Sequence, residues 1–288
     1  MAHAGADTAP VTYAAEISRA NPTCFVFLID QSESMRNPIG GGEVPMRKAE
    51  AVADAVNRLL SELSIKCAKE DGVRDYFHVG VIGYGASVGP IFDGALAGRD
   101  LVPLSEAAAA PARLEERSRP ADSRTGAPRP PVKVPAWFHG VANGDTPMCA
   151  ALDRARDAIG RWLADHPGSF PPVVVNITDG ESTDGDPSQT AKALKQLTSI
   201  DGNVLLFNLH LSSDMSEPVV FPSDAARLPD EYARLLFEMS SVLPDDMREA
   251  AHRHDLSLDA GARGFVFNAD ISSIVQFLDV GTQVMDLR

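Results

Sequence analysis

Apolar residues fall along this chain in two rhythms. In the first, short runs are apolar almost throughout: CFVFLI (24–29), FHVGVIGYG (77–85), PVVVNITDG (172–180), NVLLFNLHL (203–211) and GFVFN (264–268). Runs of this length, bounded by turn formers, predict strands buried on both faces. In the second, apolar positions recur every three or four residues. Met46, Ala49, Val52, Ala53, Val56, Leu59, Leu60 and Leu63 predict a helix from Met46 to about Cys67, with Pro45 suited to its first turn. Met148, Leu152, Ala155, Ile159 and Leu163 predict another over Thr146–Trp162. Further helices are expected at about Ser188–Leu197, over 228–254 with a break at Pro244, and over Ile271–Met285. Strands that alternate with helices build an α/β domain, a doubly wound, mostly parallel central sheet with helices on both faces. SVGPIF (87–92) is expected to pair back as one short antiparallel edge strand, where Pro90 is tolerable. The glycines of the second run predict close backbone approach.

One stretch breaks the alternation. About fifty residues between Gly94 and Gly144 lack clear strand character, far more than an ordinary connection holds. Within Pro111–Pro135 there are six prolines, five arginines and one lysine against three acids. The chain is therefore divided into a polar N-terminal leader, 1–21, and a single domain, 22–288, carrying a Pro/Arg-rich insertion at about 95–143. Such composition suits a mobile surface loop, with docking to a partner as the second reading.

Charge narrows the partners. The chain has 288 residues and a formal net charge of −14, which argues against a nucleic-acid or anionic-membrane partner, since both want basic surface. No apolar run approaches the roughly 20 residues that span a bilayer, and the first residues lack the basic start and apolar core of a signal peptide. Cys24, Cys67 and Cys149 are odd in number and widely spaced. They suit a reducing, cytoplasmic setting and three small buried side chains better than a disulfide framework.

The ends of the strands carry the candidate chemistry. FLID and NITD close on Asp30 and Asp179, and in an open parallel sheet ligands bind beyond the carboxyl ends of the strands, where strand order reverses. Ser32 and Ser34 follow Asp30 at every second position, and NGDTPM offers Thr146 just before a helix. Two carboxylates and three hydroxyls form an oxygen set for a hard divalent cation. Magnesium favours octahedral oxygen ligation with one or two carboxylates, whereas the absence of Cys or His near these motifs disfavours zinc. Taken singly, each residue also fits a turn or cap role: Asp30 and Asp179-Gly180 as turn formers, Ser32 and Ser34 as partners of backbone groups, Thr146 as a helix N-cap.

Together these motifs resemble a von Willebrand factor A (vWA) domain. DQSESM is similar to the usual D-x-S-G-S-M, GDTPMCAAL to G-G-T-P-M-x-x-A-L, and NITDGESTD to the L-T-D-G-x-x-T-D form of bacterial members, over about Pro22 to Leu287. The resemblance implies a Rossmann-like domain with a metal-ion-dependent adhesion site. Asp30, Ser32 and Ser34 form the core of the ligand shell, Thr146 binds directly or through water, and Asp179 binds usually through water. It implies Mg2+, with Mn2+ or Ca2+ as alternatives, and an open position that an acidic side chain of a protein partner fills. It implies a non-enzymatic adaptor in the bacterial cytoplasm. Similar proteins work beside MoxR-type AAA+ ATPases, or are tellurite-resistance-associated members grouped with a protein kinase and a PP2C-like phosphatase. Glu33 stands where the family has glycine. It reads as an outer-shell acceptor, as a deterrent to an acidic partner, or as a solvated side chain.

Other chemistries fit less well. A haloacid-dehalogenase-type phosphohydrolase with Asp30 as nucleophile wants a second aspartate two residues on, where Ser32 stands. A vWA domain whose metal is only structural is a further alternative. Gly40–Gly42 lack the lysine and hydroxyl of a P-loop, and DGESTDGD (179–186) lacks EF-hand spacing. His252 and His254, two apart in an expected helix, face different directions.

Overall fold

A computed structural model describes residues 13–39, 46–119, 129–211, 217–252 and 256–269, with Ser273 and Phe277. The Gly-rich turn 40–42 and Pro45 lie outside the described residues, as does His254. In chain order the elements are β1 (Thr23–Asp30), α1 (Lys48–Lys66), β2 (Ala68–Lys69), β3 (Gly72–Val73), β4 (Phe77–Tyr84), β5 (Val88–Pro90) and β6 (Val102–Pro103). There follow α2 (Leu104–Ala109), β7 (Arg113–Arg119), β8 (Arg129–Ala136), α3 (Met148–Asp165), β9 (Val173–Thr178) and α4 (Ser188–Lys195). The last are β10 (Leu205–Leu211), β11 (Val219–Val220), α5 (Glu231–Met239), α6 (Asp245–His252) and β12 (Phe265–Ala269).

The five apolar runs form one parallel sheet in the order β12-β10-β9-β1-β4. Every residue of β1 is buried, which explains its unbroken apolar run. Phe25, Phe27 and Ile29 pack toward α1, α2 and α6; Cys24, Val26 and Leu28 pack toward α3, α4 and α5. The sheet is thus doubly wound, as the alternation of elements requires. The edge strand expected at 87–92 is β5, antiparallel to β4. Two more short antiparallel strands, β6 on β4 and β11 on β12, were not expected. Each pairs only two residues, too few to show a periodic pattern. No helix among the described residues is long and apolar enough to cross a membrane.

The Pro/Arg-rich stretch departs from the expected surface loop. Apart from 120–128, which lie outside the described residues, it contains α2 and the hairpin β7–β8, paired from Arg113↔Ala136 to Arg119↔Arg129. The hairpin lies along α1. Asn57, buried on α1, donates to the Phe138 carbonyl (3.0 Å) and accepts from the Trp137 amide (2.8 Å). Trp137 is 1% exposed, and its Nε1 donates to the Ala107 carbonyl of α2 at 2.6 Å. Arg117 grips Asp54 of α1 with both terminal nitrogens, and Arg113 Nη2 donates to the Phe138 carbonyl (3.1 Å). Pro130 and Pro131 fall where the register shifts between Arg117 and Arg119, an irregularity that tolerates proline, and Pro135 lies near the end of the ribbon opposite Leu114. That is why a strand with three prolines is possible here and was not legible as one.

Most of the helix expected at Ile271–Met285 lies outside the described residues. Ser273 and Phe277 are described and buried, and the Phe277 ring stacks on Phe221 at 5.4 Å.

Candidate functional site

The chain leaves β1 for β4 on one side and leaves β9 for β10 on the other. β1 and β9 are neighbours in register, with Ile29 opposite Ile177, so their carboxyl ends flank the crevice where strand order reverses. Asp30 and Asp179 both emerge there.

Asp30 is completely buried. Its Oδ1 accepts from the Ser32 amide (2.8 Å) and its Oδ2 from Thr178 Oγ1 (2.7 Å). Ser32 is extended, and a 3-10 turn over Glu33–Arg36 then folds Ser34 back toward it. The two serine hydroxyls lie 2.9 Å apart, and Ser34 Oγ donates to Asp179 Oδ1 at 2.6 Å. A hydroxyl has one proton, so Ser32 is the donor within the serine pair. Four of the five expected residues therefore form one hydrogen-bonded chain from β1 to β9.

Thr146 reaches the same rim by a separate route. The loop before α3 is clamped by the Asn143 amide to the Gln31 carbonyl (2.5 Å), by the Ala86 amide to the Asn143 carbonyl (2.8 Å), and by the Glu33 amide to the Gly144 carbonyl (3.0 Å). Gly144 has φ +96°, and a Cβ there would lie 2.3 Å from Ala86 N; a Cβ on Gly85 would meet the Asn143 carbonyl at 2.6 Å. Only glycines permit this crossing. The Thr146 amide donates to Thr183 Oγ1 (3.1 Å), and its carbonyl accepts from the Thr183 amide (2.9 Å). Its hydroxyl lies beside Gly180, but among the described residues no hydrogen bond joins it to the other four.

Burial pushes the Asp30 carboxyl above the usual carboxylate range. Hydrogen bonds from Ser32 and Thr178 oppose the shift, and the nearby Asp179 adds to it. The Asp30 charge is thus held out of water at an electrostatic cost, which a cation beside it would relieve. Among the described residues no group of three or more His, Cys, Asp or Glu side chains gathers to hold a metal. Any cation here depends on two carboxylates plus hydroxyl oxygens, a donor set that suits a hard ion. The residues fit: the serine hydroxyls and the Asp30 carboxylate are all oxygen donors, gathered by their own hydrogen bonds at one rim.

Three contributors were not expected from the sequence. Lys48, the first residue of α1, places its ammonium 2.9 Å from Asp179 Oδ2, with side chains 6% and 1% exposed. A basic residue in a helix's first turn opposes the helix dipole, and that misplacement was the available signal. Tyr232 on α5 donates to the Gly180 carbonyl, next to Asp179; burial raises its phenol well above the ordinary value. Beneath the site Tyr84 donates to Asn176 (2.7 Å), Asn176 to Asn208 (3.0 Å) and Asn208 to Ser240 (2.9 Å), a buried polar chain from β4 to α5. Glu33, where glycine was expected, pairs with Arg36 at 2.8 Å, and Arg36 also holds the Ala142 carbonyl. Its charge at the rim is compensated.

No protein-family model matches the sequence, and no curated protein matches it significantly. Among solved structures the chain is similar to a von Willebrand factor type A protein from Catenulispora acidiphila, with 18% identity and a TM-score of 0.39, over 66% of this chain and 33% of that one. It is similar also to proximal thread matrix protein 1 of the mussel byssus, with 15% identity and a TM-score of 0.37, over 66% and 38%. A third is the vWF domain of the type V pili tip protein Mfa5 from Porphyromonas gingivalis, with 15% identity and a TM-score of 0.30, over 56% and 39%. The chain thus spans less than two fifths of each. At these TM-scores the likenesses carry no argument, and the fold stands on the strand order and registers above.

Proposed function

We propose that this chain is a non-enzymatic, divalent-cation-dependent protein-binding module of the vWA kind. The observation that carries the reading is the hydrogen-bonded chain Asp30, Ser32, Ser34 and Asp179 at the sheet's reversal point. Asp30, Ser32 and Ser34 would hold the ion, Mg2+ before Mn2+ or Ca2+, with Thr146 and Asp179 completing the shell directly or through water. When bound, the ion would supply an electrophilic centre for an acidic side chain of a partner. The chain's own residues do the rest. Thr178 and the Ser32 amide fix the Asp30 carboxylate, the clamped 142–146 loop holds Thr146 at the rim, and the neutral serines leave the ion's charge largely unquenched. Arg36 pairs with Glu33 and so lowers the repulsion that an incoming carboxylate would meet.

The proposed role is that of a cytoplasmic adaptor. A MoxR-type AAA+ ATPase, or a protein kinase paired with a PP2C-like phosphatase, is the partner class that the sequence resemblance suggests. A phosphohydrolase with Asp30 as nucleophile is disfavoured, because no acid stands at position 32. The test is calorimetric titration of MgCl2 and MnCl2 into the metal-free protein and into Asp30→Ala/Ser32→Ala. It is followed by partner capture with magnesium or EDTA using both baits. Saturable binding lost in the double variant, with capture that needs both magnesium and the intact site, supports the proposal. Binding that survives the double substitution, or capture indifferent to EDTA, refutes it.

A further inference from the structure

We infer that Lys48 is a tethered counter-cation of the candidate metal site, which holds Asp179 in place when no metal is bound and opposes the divalent ion when one arrives. The inference rests on the metal-binding reading above. Three features of the lysine carry it. Its Nζ lies 2.9 Å from Asp179 Oδ2 while Ser34 holds Oδ1, so both oxygens of this carboxylate are fixed by the protein itself. Its side chain is 6% exposed and that of Asp179 1%, so the pair is screened little by solvent. It also sits in the first turn of α1, the end of a helix where a positive charge is unfavourable. An ammonium desolvated and set against a helix dipole needs a specific partner, and Asp179 is that partner.

The charge count gives the consequence. Asp30 and Asp179 alone would offer a divalent cation two negative charges; Lys48 cancels one of them before the ion arrives. The site therefore remains assembled without metal and binds metal more weakly than its oxygen set alone would. Lys48 leaves the proposed inner ligands, Asp30, Ser32 and Ser34, free, because its contact is to the carboxylate across the crevice.

The experiment titrates MnCl2 into metal-free wild type, Lys48→Met, Lys48→Gln and Asp30→Ala, and records melting of each in EDTA. The glutamine keeps a donor toward Asp179 without the charge, so it provides a folded comparison if the methionine variant does not fold. Expected are manganese affinities about tenfold or more tighter in the Lys48 variants, equivalent to about 1.4 kcal/mol, and lower melting in EDTA, most marked for methionine. Folded Lys48 variants that bind manganese no tighter than wild type overturn the assignment of Lys48. In that case Asp30-dependent binding by wild type leaves the metal reading standing. Absence of binding by wild type and Lys48 variants alike overturns both.

Discussion

Replacing Asp30 with asparagine separates the stability of this site from its proposed cation. The change keeps both bonds that the Asp30 side chain makes. Asparagine Oδ1 can accept from the Ser32 amide as Asp30 Oδ1 does, and Nδ2 can donate to Thr178 Oγ1, whose proton then goes to the Gly180 carbonyl at 3.0 Å. What disappears is a buried negative charge. The folded-state pKa of Asp30 lies above its unfolded value, so between the two the native state holds more protons. Stability is full below the unfolded pKa and falls as pH rises through the folded one. Above its folded pKa the wild type bears the whole penalty, so there, in EDTA, Asp30→Asn melts at or above wild type, an advantage that vanishes at acid pH. Metal reverses the order. A ligand at one hundred times its dissociation constant stabilises by about 2.7 kcal/mol. With an unfolding entropy of about 2.1 cal/mol/K per residue, the 288 residues give about 0.6 kcal/mol/K, hence a rise of about 4–5 °C in wild type and none in the variant. Differential scanning calorimetry with saturating magnesium and with EDTA reads both quantities. An equal magnesium shift in the variant, or a variant several degrees less stable in EDTA, would refute the reasoning.

Other outcomes follow from the same geometry. Trp137→Ala removes an indole that is 1% exposed, at a cost of about 3–5 kcal/mol in urea unfolding; a loss under about 1 kcal/mol would mean that the insertion is not part of the core. Burial, with Lys48 nearby, lowers the His210 imidazole to about 4, and the Asn268 amide reaches its Nδ1 at 3.4 Å. A histidine kept neutral in the fold costs stability as pH falls from about 6.5 toward 4, by up to about 3 kcal/mol. His210→Phe, which keeps the stack on Phe267, should flatten that part of the pH–stability curve. Tyr232→Phe deletes the bond to the Gly180 carbonyl, to which the Thr178 hydroxyl can turn only by giving up its bond to Asp30. It should cost about 1 kcal/mol and weaken magnesium binding less than tenfold, as calorimetry would show.

The sequence by itself determined the five parallel strands, the edge strand β5, the helices α1, α3 and α4, and the residues at the strand ends, because these depend on local periodicity. CFVFLI, PVVVNITDG and NVLLFNLHL are apolar throughout since they are covered on both faces, and α1 and α3 keep their apolar stripes at helical spacing. Asp30, Ser32, Ser34 and Asp179 were legible because a strand's carboxyl end is set by where its apolar run stops. Tertiary structure alone decided the rest. The ribbon of β7 and β8 is held by Asn57, Asp54 and the buried Trp137, contacts between positions far apart in the chain that leave no periodic trace beside so many prolines. In the sequence Lys48 is only a basic residue near the start of a helix. It becomes part of the site only when α1 packs on the sheet and sets its ammonium against Asp179, 131 positions away. Local patterns fix which residues are apolar and which end a strand; which charges meet out of water is fixed only by how the layers pack.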